Sequence, residues 1–141
     1  MTPRLAKADE AEALARLIDA AYEPYRARGI ALPDVSDGVA EAIAAGEVWV
    51  AENGKILGVL MLRLSVPDAH LMNIAVAPEG QGKGIGGALI AHAISLAKAA
   101  NCAGIALATH TELPENISLY QHLGWKEQAR DGMRVRMHRP L

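Results

Sequence analysis

The chain has 141 residues, close to the prior of about 150 per domain, and a chain of this size buries about 68–70% of its unfolded surface. Hydrophobic residues make up 51% and charged residues 21%, which excludes a wholly disordered chain. Fourteen basic against sixteen acidic residues give a net charge of −2, so broad binding to nucleic acid or to an acidic membrane is not expected.

The N-terminus, Met1-Thr2-Pro3-Arg4, runs into a charged amphipathic pattern and not into an apolar signal core. Arg4 to Lys7 reads as a short first strand. Asp9 then reads as a helix N-cap, with Glu12 completing a capping-box pair. Leu14, Leu17, Ile18 and Ala21 fall on one face of a helix, and Pro24 is expected to end or kink it. A second helix is expected from Ser36 to Ala45, stopped by Gly46.

The period then changes to two. Glu47–Glu52 and Lys55–Leu64 read as a hairpin about Asn53-Gly54. His70–Ala77 is a further, nearly all-apolar strand, expected to be central. Pro78-Glu79-Gly80 breaks it. A helix follows over Gly84–Ala100, with Leu89, Ile90, Ala93, Ile94 and Ala97 as its buried stripe, and then a strand over Gly104–Ala108. The helix between them makes these two strands parallel, joined by a right-handed crossover. Pro114–Leu123 reads as a helix stopped by Gly124. Trp125–Ala129 and Met133–His138 read as a last hairpin about Asp131-Gly132.

The order implies one α/β domain over residues 1–141, with a mostly antiparallel sheet, one parallel pair and about four helices. The most apolar stretch, Gly86–Ala108, is interrupted by His92, Lys98 and Asn101 and is too weakly hydrophobic for a membrane span. Cys102 is the only cysteine. It allows no intrachain disulfide and no cysteine zinc cluster, and it fits a reducing cytoplasm.

Gln81-Gly82-Lys83-Gly84-Ile85-Gly86-Gly87 joins a buried strand to a helix start. Glycines let a backbone approach a phosphate, and the first helical amides lack intrahelical partners. A P-loop reading fails because Gly84, not Ser or Thr, follows Lys83. Gly82, Gly84 and Gly87 spell a dinucleotide fingerprint, but no acidic residue ends the next strand and too little chain remains for a second half. A glycine-rich connection without a ligand stays open.

Gln81-x-x-Gly84-x-Gly86, preceded by Asn73-Ile74-Ala75-Val76-Ala77-Pro78-Glu79, resembles the pyrophosphate-binding motif of the GNAT superfamily of N-acetyltransferases. Tyr120-Gln121-His122-Leu123-Gly124-Trp125 is similar to that family's second motif. The element order resembles the whole GNAT fold, in which one parallel strand pair splays. The resemblance implies acetyl-CoA as acyl donor and a small-molecule or peptide amine as acceptor. Main-chain groups along Ile74, Ala75 and Val76 would bond the pantetheine arm. Amides from Gln81 or Gly82 through Lys83, Gly84, Ile85 and Gly86 to Gly87 would hold the pyrophosphate. Tyr120 would be the general acid to the departing thiolate. Asn116, one helical turn before Tyr120, would contact pantetheine or cap its helix.

There are departures. Leu113 stands where the commoner family pattern has Asn, Trp125 replaces the usual Phe or Tyr as core packing, and Gly80 replaces a bulkier residue, which should loosen the loop. The amine needs a base, for which His110, Glu112, Glu23 and His70 are candidates. Tyr22 and Tyr25 lie in a region that helps wall the family's acceptor pocket, or simply pack. His92, His122 and His138 show no partner spacing and read as solvated. No cluster suggests a metal. An acetyl-cysteine on Cys102 is weighed against direct transfer in a ternary complex. Cys102 falls at the end opposite the expected thioester, which favours direct transfer. Arg134 and Arg136 alternate with Val135 and Met137, marking an exposed face or the edge of a homodimer. The rival reading is a non-catalytic acyl-CoA-binding or regulatory module, against which Tyr120 speaks.

Overall fold

The computed structural model describes residues 2–32 and 34–141; Met1, where the N-terminal reading starts, lies outside them. The strands are β1 (Arg4–Leu5), β2 (Val48–Asn53), β3 (Lys55–Arg63), β4 (Asp68–Val76), β5 (Gly104–His110), β6 (Lys126–Asp131) and β7 (Arg134–Pro140). The helices are α1 (Ala11–Ala27), α2 (Val39–Ala44), α3 (Ile85–Ala99) and α4 (Pro114–His122), with 3-10 turns at Ala8–Glu10 and Pro78–Gly80. The seven strands lie in the order β1-β2-β3-β4-β5-β7-β6. This is the mixed α/β architecture with the element order expected from the sequence. By contacts the chain forms two compact units, residues 1–62 with 73–93 and residues 63–72 with 94–141.

In the first unit, Leu14 and Ile18 of α1 pack with Val39 and Ala42 of α2 and with Val48, Val50, Val59, Met61 and Ala75 of the strands. The expected helical stripe is therefore the core stripe. Its start differs from expectation. Glu10, not Glu12, accepts a backbone N–H, that of Lys7 at 2.7 Å. Glu10 is also fixed by Arg4 at 2.9 Å, and Arg4 in turn reaches Glu52 at 3.1 Å. Hydrogen bonding to Arg4 pulls the Glu10 carboxyl down to about 2. Pro24 does not end α1. The helix continues to Ala27 because a proline gives up only its own amide bond, and the Arg28 amide still reaches the Pro24 and Tyr25 carbonyls. Gly46 and Gly54 take φ of +72° and +76° at the expected helix stop and hairpin turn. His92 is not solvated. It lies edge-on to Trp49, ring centroids 6.3 Å apart, and burial pulls its imidazole below the ordinary value.

In the second unit the β4–β5 ladder is parallel and runs from Asp68↔Gly104 to Leu71↔Leu107. β7 pairs with β5 along its whole length and with β6 on the other side. β7 is thus interior, which corrects the dimer-edge reading of Arg134 and Arg136; their face is exposed as expected, but their strand is not an edge. One face of these strands buries Ala69, Leu71, Ile105, Leu107, Val135 and Met137. Trp125 is buried with its indole N–H donating to the Ile105 carbonyl at 3.0 Å, the expected core role. Cys102 is also buried, 3.2 Å from the Ser65 carbonyl. It precedes β5, at the end where the parallel ladder begins. His138 is not solvated either: its Nε2 lies 3.0 Å from Asp68.

Candidate active site

The turn before α3 is built by its glycines. Gly82 and Gly84 both adopt φ of +76°, a region that suits glycine, and no atom lies within 4 Å of where their Cβ atoms would stand. The Gln81 amide closes the preceding 3-10 turn onto the Pro78 carbonyl at 3.3 Å, and the first bond into α3 runs from Ala88 to Gly84 at 3.1 Å. The amides of Gly82, Lys83, Gly84, Ile85, Gly86 and Gly87 therefore precede the first helical bond, at the positive end of the helix dipole. Lys83 is exposed beside them. Helix-start amides outside the helical bonding pattern, with one cation beside them, suit a phosphate.

The turn is braced from below. The Gln81 side-chain amide donates to the Val76 carbonyl at 3.0 Å, and Ala77 donates to Leu57 at 2.8 Å. Gly80 does not loosen the loop. It is buried, and a Cβ there would stand 3.1 Å from Ile85 Cδ1 and 3.3 Å from Leu57. Its lack of a side chain lets the loop pack against β3. Just before the Ile74–Val76 segment, of which Ala75 is buried, the Asn73 side chain accepts from the Tyr22 hydroxyl at 2.8 Å and donates to the Val35 carbonyl at 3.1 Å.

In the second unit, Tyr120 is half-buried in α4, its ring tilted 67° to Trp125 with centroids 5.6 Å apart. The Tyr120 carbonyl accepts the Trp125 amide at 2.9 Å. Arg139 lies over the other aromatic of the pair, 5.8 Å from the Trp125 ring centre, and donates to the Leu123 carbonyl at 3.0 Å. Asn116 shares the Tyr120 face of the helix. It does not cap α4: the N-cap is Leu113, and no side chain bonds at that cap. Pro114 at the first helical position already needs no amide acceptor.

The same unit holds a groove of about 650 Å³ on the sheet face opposite its core. Its lining includes His70, Met72, Ala108, Arg134 and Arg136, with Gln128 on β6 and Arg63 at the end of β3. Met72 and Ala108 each follow the last rung of the parallel ladder, Leu71↔Leu107. Of the base candidates, His70 lines this groove. The His110 Nδ1 accepts the Glu112 amide at 3.0 Å, so the neutral ring carries its proton on Nε2 and offers no lone pair. Glu23 and Glu112 are exposed. Among the described residues no group of His, Cys, Asp and Glu could hold a metal.

Residues 44–127, more than half of the chain, match the model of the acetyltransferase (GNAT) domain. The chain belongs to the GNAT acetyltransferase family. It is 32% identical over 78 residues to the ribosomal protein bS18-alanine N-acetyltransferase of Escherichia coli, covering 55% of this chain and 53% of that protein. It is 35% identical over 97 residues to the uncharacterized N-acetyltransferase YvbK of Bacillus subtilis, covering 67% and 63%. The chain thus spans about half the length of the first relative and under two thirds of the second. Its fold is similar to that of the PaiA N-acetyltransferase of Thermoplasma acidophilum, solved in complex with coenzyme A (TM-score 0.87, 18% identity, 99% of this chain and 98% of that one). A GNAT-family acetyltransferase of Staphylococcus aureus gives 0.82 at 20% identity, covering 99% and 98%.

Two features of this GNAT chain escaped the sequence reading. The Tyr22–Asn73–Val35 link joins residues far apart in sequence, and nothing in the letters marks it. The groove had a partial signal, the alternation of Arg134 and Arg136, without the strand order that gives it neighbours.

Proposed function

We propose that the chain is an acetyl-CoA-dependent N-acetyltransferase over residues 1–141 that moves the acetyl group to an amine by direct transfer. The observation that carries this reading is the glycine turn before α3, in a member of a family whose named relatives are N-acetyltransferases. The amides of Gly82 to Gly87, with Lys83, would hold the pyrophosphate, while Gln81 braces the turn by its side chain. Main-chain groups along Ile74, Ala75 and Val76 would orient the pantetheine arm, with Asn116 as a further contact.

When bound, acetyl-CoA supplies an acyl carbon whose C–S bond breaks as the C–N bond to the amine forms. Tyr120 would give its hydroxyl proton to the departing sulfur. His70, the candidate base that lines the groove, would take the proton lost by the amine. A backbone amide aimed at the thioester oxygen would stabilise its developing charge. Cys102 has no part in this, being buried against Ser65. Among the described residues no helix is long and apolar enough to cross a membrane, and a reducing cytoplasm suits the lone thiol.

Calorimetric titration with acetyl-CoA, with NAD as control, tests the first half of the reading, and CoA release with an amine panel tests the second. Binding of acetyl-CoA alone together with turnover is the expected result. Binding with no turnover on any amine would favour the non-catalytic acyl-CoA module instead.

A further inference from the structure

Sixteen acidic residues outnumber fourteen basic ones in this chain. Yet the groove on the outer face of the second unit is lined by Arg63, Arg134 and Arg136 with His70 and has no carboxylate in its lining. Ala106, Ala108 and Ala129, all small, leave its floor open. The register places Arg136 directly opposite Ala108. Ala108 itself follows the last rung of the parallel ladder, Leu71↔Leu107. Opposed residues of an antiparallel pair stand about 4.5–5.5 Å apart at Cβ. Arg136 thus lines the groove beside Ala108, with its guanidinium 3.3 Å from Asp131 on β6 and Arg134 two positions along the same strand.

We propose that this groove selects an amine that carries a carboxylate a few bonds from its nitrogen, as a free α-amino acid does, and that Arg136, aided by Arg134, binds the carboxylate. The assignment rests on the N-acetyltransferase reading and names its acceptor class. Arg136 has an internal partner, Asp131 at 3.3 Å, but both side chains are more than half exposed, at 55% and 65%. Such a pair is worth little and yields to a ligand carboxylate that takes the guanidinium in its two-pronged geometry. The volume of about 650 Å³ lies in the range of small-molecule sites, roughly 300–1,000 Å³.

The test compares each α-amino acid with its own carboxamide as acceptor, using acetyl-CoA and reading thiol release. The free acid is expected to exceed the amide in kcat/KM by about tenfold or more. That ratio should collapse toward one in Arg136→Gln with Arg134→Gln and be partly kept in Arg136→Lys, with acetyl-CoA binding measured as the check on folding. Equal rates for acid and amide in the unaltered protein overturn the assignment, as does a ratio that survives the double substitution. Turnover of amides but not of acids overturns it while leaving the N-acetyltransferase reading intact. Turnover of neither, with acetyl-CoA bound, overturns the assignment, and the N-acetyltransferase reading falls with it only when the wider amine panel also gives no turnover.

Discussion

His138 and Asp68 meet at 3.0 Å although a strand runs between theirs. Asp68 is on β4 and His138 on β7, and both pair with β5, where Gly104 lies opposite Asp68. A Cβ on Gly104 would stand 2.6 Å from His138 Cε1 and 2.9 Å from the Arg139 carbonyl. The contact exists because β5 begins with a residue that has no side chain.

Gly104→Ala is therefore expected to destabilise the protein by about 1–3 kcal/mol, the usual cost of overpacking. Thermal unfolding should show a midpoint lower by several degrees. An unchanged midpoint would mean that the His138 ring swings aside at no cost.

For the glycine turn, Gly84→Ala is expected to weaken acetyl-CoA binding by about tenfold or more while costing about 1 kcal/mol of stability. No neighbouring atom blocks the new methyl, so the effect comes from the left-handed backbone that alanine resists. Calorimetry on the folded variant separates the two.

Tyr120→Phe keeps the ring that packs on Trp125 and removes only the hydroxyl. The expected result is a fall in kcat of about 10²-fold or more, the range of general-acid contributions, with acetyl-CoA affinity retained. Equal activity would remove Tyr120 as the acid.

Stability should depend on pH through Glu10. Its carboxyl is held at about 2 by Arg4, below its unfolded value, so the folded state binds fewer protons than the unfolded one across that interval. The stabilisation is complete above the unfolded value and is lost as pH falls toward about 2. Arg4 and Glu10 retain 32% and 17% side-chain exposure, which scales the contribution down to about 1 kcal/mol. Denaturant midpoints of Glu10→Gln and the unaltered protein should differ at neutral pH and converge in acid.

The element order was legible because it rests on local periodicity: the Leu14–Ile18 stripe, the Asn53-Gly54 turn and the helix stop at Gly46 all stand where the letters place them. The misses share a cause. Glu10 caps the first turn instead of Glu12 because Arg4 holds it, and Arg4 is itself fixed by Glu52 on a different strand. His138 finds a partner 70 positions away. Gly80 suggested slack because its neighbours Leu57 and Ile85 come from β3 and α3. Local windows carry no information on such contacts. For the same reason the motif residues of the turn were readable from the sequence, while the groove, made from five separate strands, was not.

β3 grips the start of α3 closely. A Cβ on Gly58 would come within 2.7 Å of Ile85 and 2.9 Å of Leu89, while the neighbouring Leu57 carbonyl takes the Ala77 amide. The glycine turn is thus keyed to an interior strand at both of its ends. An anion that orders the turn must also suppress the local openings that expose this part of β3. Amide hydrogen exchange along residues 57–59, on β3 and outside the turn itself, would slow on binding and serve as an internal gauge of occupancy.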